Sequence, residues 1–308
     1  MRWLRKVLLW ISENRKLRQT LPRYQFIRRA VSRFMPGEEL AEALQAASTL
    51  QKQSLNTIFT HLGENIVEAA ESMEATNHYL EALQQIHQRH LDTHVSVKLT
   101  QLGLDLNEDL CLQNLTAIVE RAAALKNWVW IDMEQSGYVD RTLSLYKKIR
   151  SKYPNAGVCV QAYLYRTKKD LEELLPLSPA IRLVKGAYLE PANIAYPGKS
   201  EVDANYFALA QMLLSNIKKN GVTVGIATHD RRLIKRIQRA ASELGLSKND
   251  YEFQFLYGIQ SEEQLRLARE GCRVRVLISY GNYWFPWYVR RLAERPANLW
   301  FVVKNLVS

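Results

Sequence analysis

Apolar and polar residues follow a repeating order along this chain from about residue 55. A short β-branched or apolar run is followed by a polar turn, and then by a longer segment with apolar residues at helical spacing. The pattern predicts eight strands, at 56–62, 94–100, 128–132, 158–163, 181–184, 222–228, 251–256 and 274–279. It also predicts seven intervening helices, among them 64–89, 141–153, 168–175, 203–220, 230–244 and 261–270, and a final helix at 286–295.

Strict alternation of strand and helix requires parallel strands joined by crossover connections. Eight such units favour a closed (β/α)8 barrel of the TIM type over an open sheet. The turns also lack the G-x-G-x-x-G pattern of dinucleotide-binding open sheets. A barrel uses roughly 250 residues, so we expect an α/β protein with a barrel at 54–308 and a helical arm at 1–53.

The arm carries most of the positive charge. Residues 1–35 hold ten Arg or Lys and one Glu, which accounts for +9 of the net +11. The rest of the chain is therefore nearly neutral, and we expect no nucleic-acid partner. Trp3, Leu4, Val7, Leu8 and Ile11 fall at helical spacing between the basic residues. Two interpretations stay open: the arm lies peripherally on the anionic inner face of the cell membrane, or it packs on its own barrel.

Cysteine usage and hydropathy indicate a cytoplasmic protein. Cys111, Cys159 and Cys272 are far apart, form no C-x-x-C pair and have apolar neighbours. They are expected to be buried thiols in a reducing compartment. No apolar run approaches the roughly 18 residues of a membrane-spanning helix.

Active sites of such barrels lie at the carboxyl ends of the strands, here called the mouth. The polar residues expected there are mostly cations and amides: Lys98, Asp132, Glu134, Gln161, Arg182, Lys185, Thr228, His229, Asp230, Glu252, Gln254, Arg290 and Arg291. Such a set suits an anionic ligand, and the sparse carboxylates and histidines argue against a metal site. Taken singly, each charged residue is more often solvated or structural, and His229 is more often a core or capping residue. The argument therefore depends on the whole set.

Seven segments at these positions resemble the proline dehydrogenase family. They are SVKLTQLGLD at 96–105, IDMEQS at 131–136, VQAYLYRT at 160–167, RLVKGAYLE at 182–190, ATHD at 227–230, YEFQFLYG at 251–258 and RRLAERPAN at 290–298. The chain is similar to the monofunctional bacterial members. The resemblance implies a distorted (β/α)8 barrel that holds FAD non-covalently. It further implies oxidation of L-proline to Δ1-pyrroline-5-carboxylate and transfer of the electrons to a membrane quinone.

The resemblance also assigns site residues. Those implied for FAD are Gln161, Arg182, Lys185, Gly186, Ala187, Thr228 and His229, and those implied for substrate are Lys98, Tyr188, Leu256, Leu277, Trp287, Arg290 and Arg291. The implied catalytic group is Lys98, Asp132 and Arg182.

Each of these roles is chemically reasonable. Arg290 and Arg291 would clamp the substrate carboxylate, and Lys98 would favour the neutral amine. Arg182 would stabilise the anionic reduced flavin. Asp132 would orient Lys98 or an arginine rather than act as a base.

Two positions depart from the family pattern. Most members carry a tyrosine where this chain has Leu277, and another where it has Trp287. A change of this size in a pocket shifts discrimination between substrates by roughly 1–3 kcal/mol. Three alternatives therefore remain: a proline-active enzyme, a flavoenzyme acting on a substituted proline or another cyclic amino acid, and a non-catalytic ligand-binding barrel.

Overall fold

The computed structural model describes residues 31, 33–63, 66–285 and 288–289. Most of the basic arm and the predicted last helix lie outside these residues. So do Trp287, Arg290 and Arg291, and the predictions that concern them stay predictions. Within the described ranges, no helix has both the length and the apolar character needed to cross a membrane.

Strands and helices alternate in the described residues as the pattern predicts. The strands are β1 Asn56–His61, β2 Thr93–Val97, β3 Val129–Ile131, β4 Ala156–Gln161, β5 Ala180–Val184, β6 Thr223–Ala227, β7 Tyr251–Leu256 and β8 Arg273–Tyr280. The helices are α1 Leu40–Gln51, α2 Ala69–Gln88, α3 Glu108–Ala124, α4 Val139–Arg150, α5 Thr167–Leu174, α6 Lys199–Asn220, α7 Arg231–Glu243 and α8 Ser261–Arg269.

The eight strands form a closed parallel barrel in sequence order, in which β8 pairs with β1. The predicted (β/α)8 fold is therefore confirmed. Cys159 lies opposite Arg182 in the register of β4 and β5, and Arg182 lies opposite Gly225 in that of β5 and β6. Helix α1 packs on β1 and β8, at the closing seam of the barrel. The boundary at residue 54 stays a prediction.

Two predicted boundaries are wrong for identifiable reasons. Helix α2 begins at Ala69, and not at residue 64, because Glu68 is extended and forms a capping box with Glu71. Strand β2 ends at Val97, and not at residue 100, because the chain turns at once. The N–H groups of Gln101 and Leu102 both donate to the carbonyl of Lys98.

Helix α7 shows how local sequence positions the mouth. Its buried residues are Leu233, Ile234, Ile237, Ala240 and Ala241, which form one face at helical spacing. Asp230 is its N-cap, and its carboxylate accepts from the N–H groups of Arg232 and Leu233 at 3.0 and 3.4 Å. The cap holds Asp230 directly after β6, where its second oxygen faces the mouth.

The barrel has an apolar outer layer and a largely polar interior. Outward residues of the strands pack with the helices in one large core. A small separate apolar cluster of Ile58, Trp130 and Ala180, with Leu277 packed on it, lies among the inward residues. Buried charged and amide residues occupy other inward positions, among them Arg182, Glu252, Gln254 and Arg275.

Candidate active site

Arg182 lies at the centre of the polar interior with 3% of its surface exposed. Its Nη1 donates to Asp132 Oδ1 at 2.7 Å and to Ser96 Oγ at 3.0 Å. Its Nε donates to Gln254 Oε1 at 2.7 Å. Residues from β2, β5 and β7 and the end of β3 therefore meet at one guanidinium, and the carboxylate offsets the cost of burying its charge.

Asp132 connects two of the predicted catalytic residues. Its Oδ1 accepts from Arg182 and, at 2.8 Å, from Ser96 Oγ. Its Oδ2 lies 3.9 Å from Lys98 Nζ, and the side chain of Lys98 is 10% exposed. The structure thus brings Lys98, Asp132 and Arg182 together, with Asp132 as the bridge between the two cations.

Trp130 supports Arg182 from within the barrel. The guanidinium carbon lies 4.9 Å from the centroid of the indole ring. The indole Nε1 donates to His94 Nδ1 at 3.1 Å. Burial, and then the charge of Arg275, holds the pKa of His94 well below its usual value, so the ring is neutral and can accept that hydrogen bond. The orientation of the indole is therefore fixed.

Several buried polar atoms have no hydrogen-bond partner within the described residues, and two of them belong to side chains that the resemblance assigns to FAD. They are Arg182 Nη2, a donor, and Gln161 Oε1, an acceptor. The amide nitrogen of Gln161 donates to the carbonyl oxygens of Glu134 and Met133 at 3.2 and 3.4 Å, so its oxygen faces the other way. Buried polar atoms are nearly always satisfied. The pair therefore fits a ligand that carries both acceptor and donor groups.

Lys185 is held between two carboxylates at the end of β5. Its Nζ lies 2.5 Å from Asp203 Oδ1 and 3.4 Å from Asp230 Oδ2. Burial opposes the ionisation of Asp203, but hydrogen bonds from Lys185 and Lys199 outweigh it, and the pKa of Asp203 is lowered. The cluster places a fixed, partly exposed ammonium group where β5 leaves the barrel.

Gly186 lets the following loop pass close to β4. Its φ is +115°, and a Cβ there would lie 2.2 Å from the ring of Tyr163. A larger residue is excluded both by conformation and by space. Ala187 and the half-buried Tyr188 follow directly in this loop, so Gly186 determines where both residues lie.

Thr228 and His229 order the ends of β6 and β7. His229 Nε2 accepts from the backbone N–H of Leu256 at 3.0 Å. Thr228 Oγ1 accepts from the N–H of Asp230 at 3.2 Å. Leu256 lies opposite Leu277 in the register of β7 and β8. Both predicted apolar substrate residues are therefore neighbours at one side of the mouth.

One sequence expectation about the mouth is wrong. Glu252 was expected at the mouth, but it lies near the start of β7, where both its oxygens accept from Arg275 Nε at 3.0 and 3.1 Å. Alternation along a strand places Glu252 and Gln254 on the same inward face but at different depths. Glu134 also has a local role, because both its oxygens accept from Thr100 at 3.2 and 2.7 Å.

Sequence reasoning missed Ser96, Trp130 and Arg275. Ser96 and Trp130 lie two residues before Lys98 and Asp132, and therefore on the same inward faces of their strands. Arg275 lies between two valines of β8 and is 1% exposed. A charged residue between apolar residues of a predicted strand was the available signal. Among the described residues, no group of three or more His, Cys, Asp or Glu side chains is arranged to hold a metal ion.

The chain is similar in sequence and in fold to known proteins. A family model described as "Proline dehydrogenase" matches residues 43–304. Proline dehydrogenase 2 of Bacillus subtilis subsp. natto is 39% identical over 279 residues, which are 91% of this chain and 90% of that protein. Proline dehydrogenase of Deinococcus radiodurans is 36% identical over 309 residues, with coverage of 99% and 98%. A solved structure of proline utilization A from Bdellovibrio bacteriovorus has a TM-score of 0.81 at 26% identity, over 87% of this chain and 33% of that longer one. The chain is an oxidoreductase and belongs to the proline dehydrogenase family.

Proposed function

We propose that this chain oxidises L-proline to Δ1-pyrroline-5-carboxylate with FAD as its non-covalent cofactor. The single observation that carries the proposal, beside the family membership, is the buried Nη2 of Arg182, a cationic donor without a partner in the described residues. When bound, FAD supplies the redox chemistry by accepting a hydride at its N5.

The donor set fits such a cofactor. Gln161 offers a buried acceptor and Arg182 a buried donor, and an isoalloxazine ring carries groups of both kinds. Arg182 would also supply positive charge to the bound ring and so favour its acceptance of electrons. The residues proposed to hold FAD are Gln161, Arg182, Lys185, Gly186, Ala187, Thr228 and His229.

The substrate would bind on the same side of the barrel. Lys98 and Arg182 place positive charge at the mouth, which lowers the pKa of a nearby ammonium group and favours the neutral amine. Asp132 holds the two cations in place and is proposed to orient them. Tyr188, Leu256 and Leu277 would surround the substrate ring, and Trp287, Arg290 and Arg291 are proposed to complete the pocket and clamp the carboxylate.

One observation favours a second candidate function. Leu277 packs on the inner apolar cluster with Trp130, at a position where most family members carry a tyrosine. A substituted proline or another cyclic amino acid therefore remains the alternative substrate, and the alternative keeps the same fold and cofactor.

The electrons are proposed to pass to a membrane quinone. The protein would lie in the cytoplasm, with residues 1–35 in peripheral contact with the inner face of the cell membrane. In this scheme residues 1–53 form the arm and 54–308 the catalytic barrel. The full chain should bind vesicles of anionic lipid, and salt should weaken that binding. Deletion of residues 1–18 should abolish it, and unchanged binding would refute this role of the arm.

The proposed reaction is tested with the purified full chain. The protein should be yellow, release FAD on denaturation and lose its flavin absorbance when L-proline is added without oxygen. Other cyclic amino acids added in the same way distinguish proline from the alternative substrates. A protein that takes up no added FAD would contradict the proposal. Ligand binding without any loss of flavin absorbance would favour the non-catalytic barrel.

A further inference from the structure

A continuous column of polar side chains runs from Arg182 towards the amino-terminal end of the barrel. Arg182 Nε donates to Gln254 Oε1 at 2.7 Å, and Gln254 Nε2 donates to Glu252 Oε1 at 2.6 Å. Glu252 accepts from Arg275 Nε, and Arg275 Nη1 donates to Asp92 Oδ1 at 2.9 Å. Arg182, Glu252, Gln254 and Arg275 are all buried. The column therefore connects the predicted catalytic arginine to the opposite end of the barrel.

Stability alone does not account for this column. The interior of such barrels is commonly filled by bulky branched apolar residues. A buried ion pair loses hydration that its attraction barely restores, and apolar replacements are often neutral or stabilising. A buried column of two arginines, a glutamate and a glutamine is therefore expected to serve the geometry of the groups at its end.

The backbone provides space for the central amide. Gly225 lies on β6, between Arg182 on β5 and Glu252 on β7. A Cβ at Gly225 would lie 2.6 Å from Gln254 Nε2 and 3.0 Å from its Cδ. Since both atoms belong to the amide itself, even an alanine would displace the group that holds Arg182.

The partners of Gln254 also determine which way its amide faces. A guanidinium can only donate hydrogen bonds, and a carboxylate can only accept them. With Arg182 on one side and Glu252 on the other, one orientation satisfies both: the oxygen towards Arg182 and the nitrogen towards Glu252. Arg275 holds Glu252 in place through its hydrogen bonds to both oxygens.

We propose that Gln254 is a positioning residue that sets the orientation of the Arg182 guanidinium, and that Glu252 fixes the orientation of the Gln254 amide. Because Gln254 holds Nε, and Asp132 and Ser96 hold Nη1, Nη2 is the nitrogen that would face the cofactor. The inference rests on the proposed function, because it assigns the column to the alignment of Arg182 with FAD.

The first test replaces Gln254 by an apolar residue of similar length. In Gln254→Met, Arg182 loses the hydrogen-bond acceptor at its Nε, and the guanidinium group is free to tilt. We expect a more negative reduction potential of the bound flavin and a limiting rate of flavin reduction about 10- to 100-fold lower, as for a misplacement of about 1 Å. The KM for proline should change little, because the substrate clamp is not touched.

A matched control separates alignment from the loss of any buried amide. Asn114 is a buried amide on α3, in the outer helical layer, and donates to the carbonyl of Leu102 and to Ser72 Oγ. Asn114→Leu should keep the reduction potential and the rate of flavin reduction of the wild type, even if its unfolding midpoint falls. A control variant with the same shift in potential as Gln254→Met would overturn the inference.

Two further variants disturb the Gln254 amide without removing its side chain. Gly225→Ala should displace the amide and shift the potential in the same direction as Gln254→Met, and it serves if that variant does not fold. Glu252→Gln removes the charged acceptor of the Gln254 amide nitrogen and weakens the contact that fixes this amide, so it should also shift the potential.

The outcomes distinguish the inference from the proposed function. A wild-type protein that binds no FAD, or whose FAD proline does not reduce, refutes the function itself. If the wild type is active, but Gln254→Met and Gly225→Ala keep its potential, its FAD dissociation constant and its rate, the positioning role alone is overturned. A rise in KM without any change in potential would also overturn it.

Discussion

Arg182 and Trp130 form a cation–π pair inside the barrel, with the guanidinium carbon 4.9 Å from the indole centroid. The indole fits there because the neighbouring strand has a glycine. A Cβ at Gly157 would lie 2.6 Å from two carbon atoms of the ring. The position of Arg182 therefore depends on the ring of Trp130, and that ring has space because Gly157 on β4 has no side chain.

Gly157→Ala is expected to destabilise the fold by about 1–3 kcal/mol, because the new methyl group overpacks the interior. The clash is with the ring of Trp130, so the penalty should largely disappear in a Trp130→Leu background. Urea unfolding of the wild type, both single variants and the double variant measures this coupling. Equal costs of Gly157→Ala in both backgrounds would show that the clash lies elsewhere.

The strand and helix pattern predicted the fold because each period reports which face of an element is buried. It could not separate a strand from a buried loop. The residues after β2 remain apolar and buried, at Leu99, Leu102 and Leu104, although the strand ends at Val97. Buried apolar residues occur both in the strand and in the loop after it, so they do not mark where the strand ends. The turn at Lys98 depends on backbone hydrogen bonds, which the residue types do not predict.

The sequence predicted some of the residues that lie at the site, but not how they pair. Parallel strands bring their carboxyl ends to one mouth, so Lys98, Asp132 and Arg182 could be expected together. The hydrogen-bond partners of Arg182 could not be predicted, because Ser96 and Gln254 lie 86 and 72 residues away from it in the chain. Such contacts depend on side-chain length and on depth in the barrel, which alternation alone does not specify.

A histidine cluster beside the mouth predicts a loss of stability in acid. Burial, followed by the charges of His78 and Lys98, lowers the pKa of His61 to about 4. The ring of His61 lies 4.1 Å from that of His78, whose pKa is also lowered, by burial first. In the unfolded chain these rings take up protons near pH 6.5, and in the folded protein His61 stays neutral until about pH 4.

The unfolded state therefore binds more protons between these two values, and the free energy of unfolding falls as the pH drops from about 6.5 towards 4. The contribution of His61 is at most about 3 kcal/mol. His61→Gln should make the decline between pH 7 and pH 5 shallower in urea unfolding. His87→Gln, at an exposed position on α2, is the control and should follow the wild type. Parallel curves for wild type and His61→Gln would remove this explanation.

The three thiols should be unreactive in the native protein. Cys111, Cys159 and Cys272 are all buried. Burial raises the pKa of Cys111 and of Cys159 to about 12 and also raises that of Cys272. Because the thiolate is the reactive form, a disulfide reagent at pH 8 should modify none of them before unfolding. Guanidinium should release three equivalents, and a rapid native reaction at any of them would contradict the buried positions.

Asp132 is expected to position the cations and not to accept the substrate proton. Asp132→Asn removes a charged acceptor worth about 1.5–3 kcal/mol, so kcat should fall by roughly 10- to 100-fold with a smaller change in KM. Ser96→Ala removes a neutral hydrogen bond to the same oxygen, worth about 0.5–1.5 kcal/mol, and should cost roughly 10-fold or less.

The pH profile separates the two roles of Asp132. If Asp132 only orients Lys98 and Arg182, the variant keeps an acid limb of kcat/KM, because the group that titrates there is still present. Stopped-flow reduction of the bound flavin across the pH range gives the profile for both variants, with circular dichroism as the check on folding. An acid limb that disappears in Asp132→Asn but persists in Ser96→Ala would identify Asp132 as the base and contradict the positioning role.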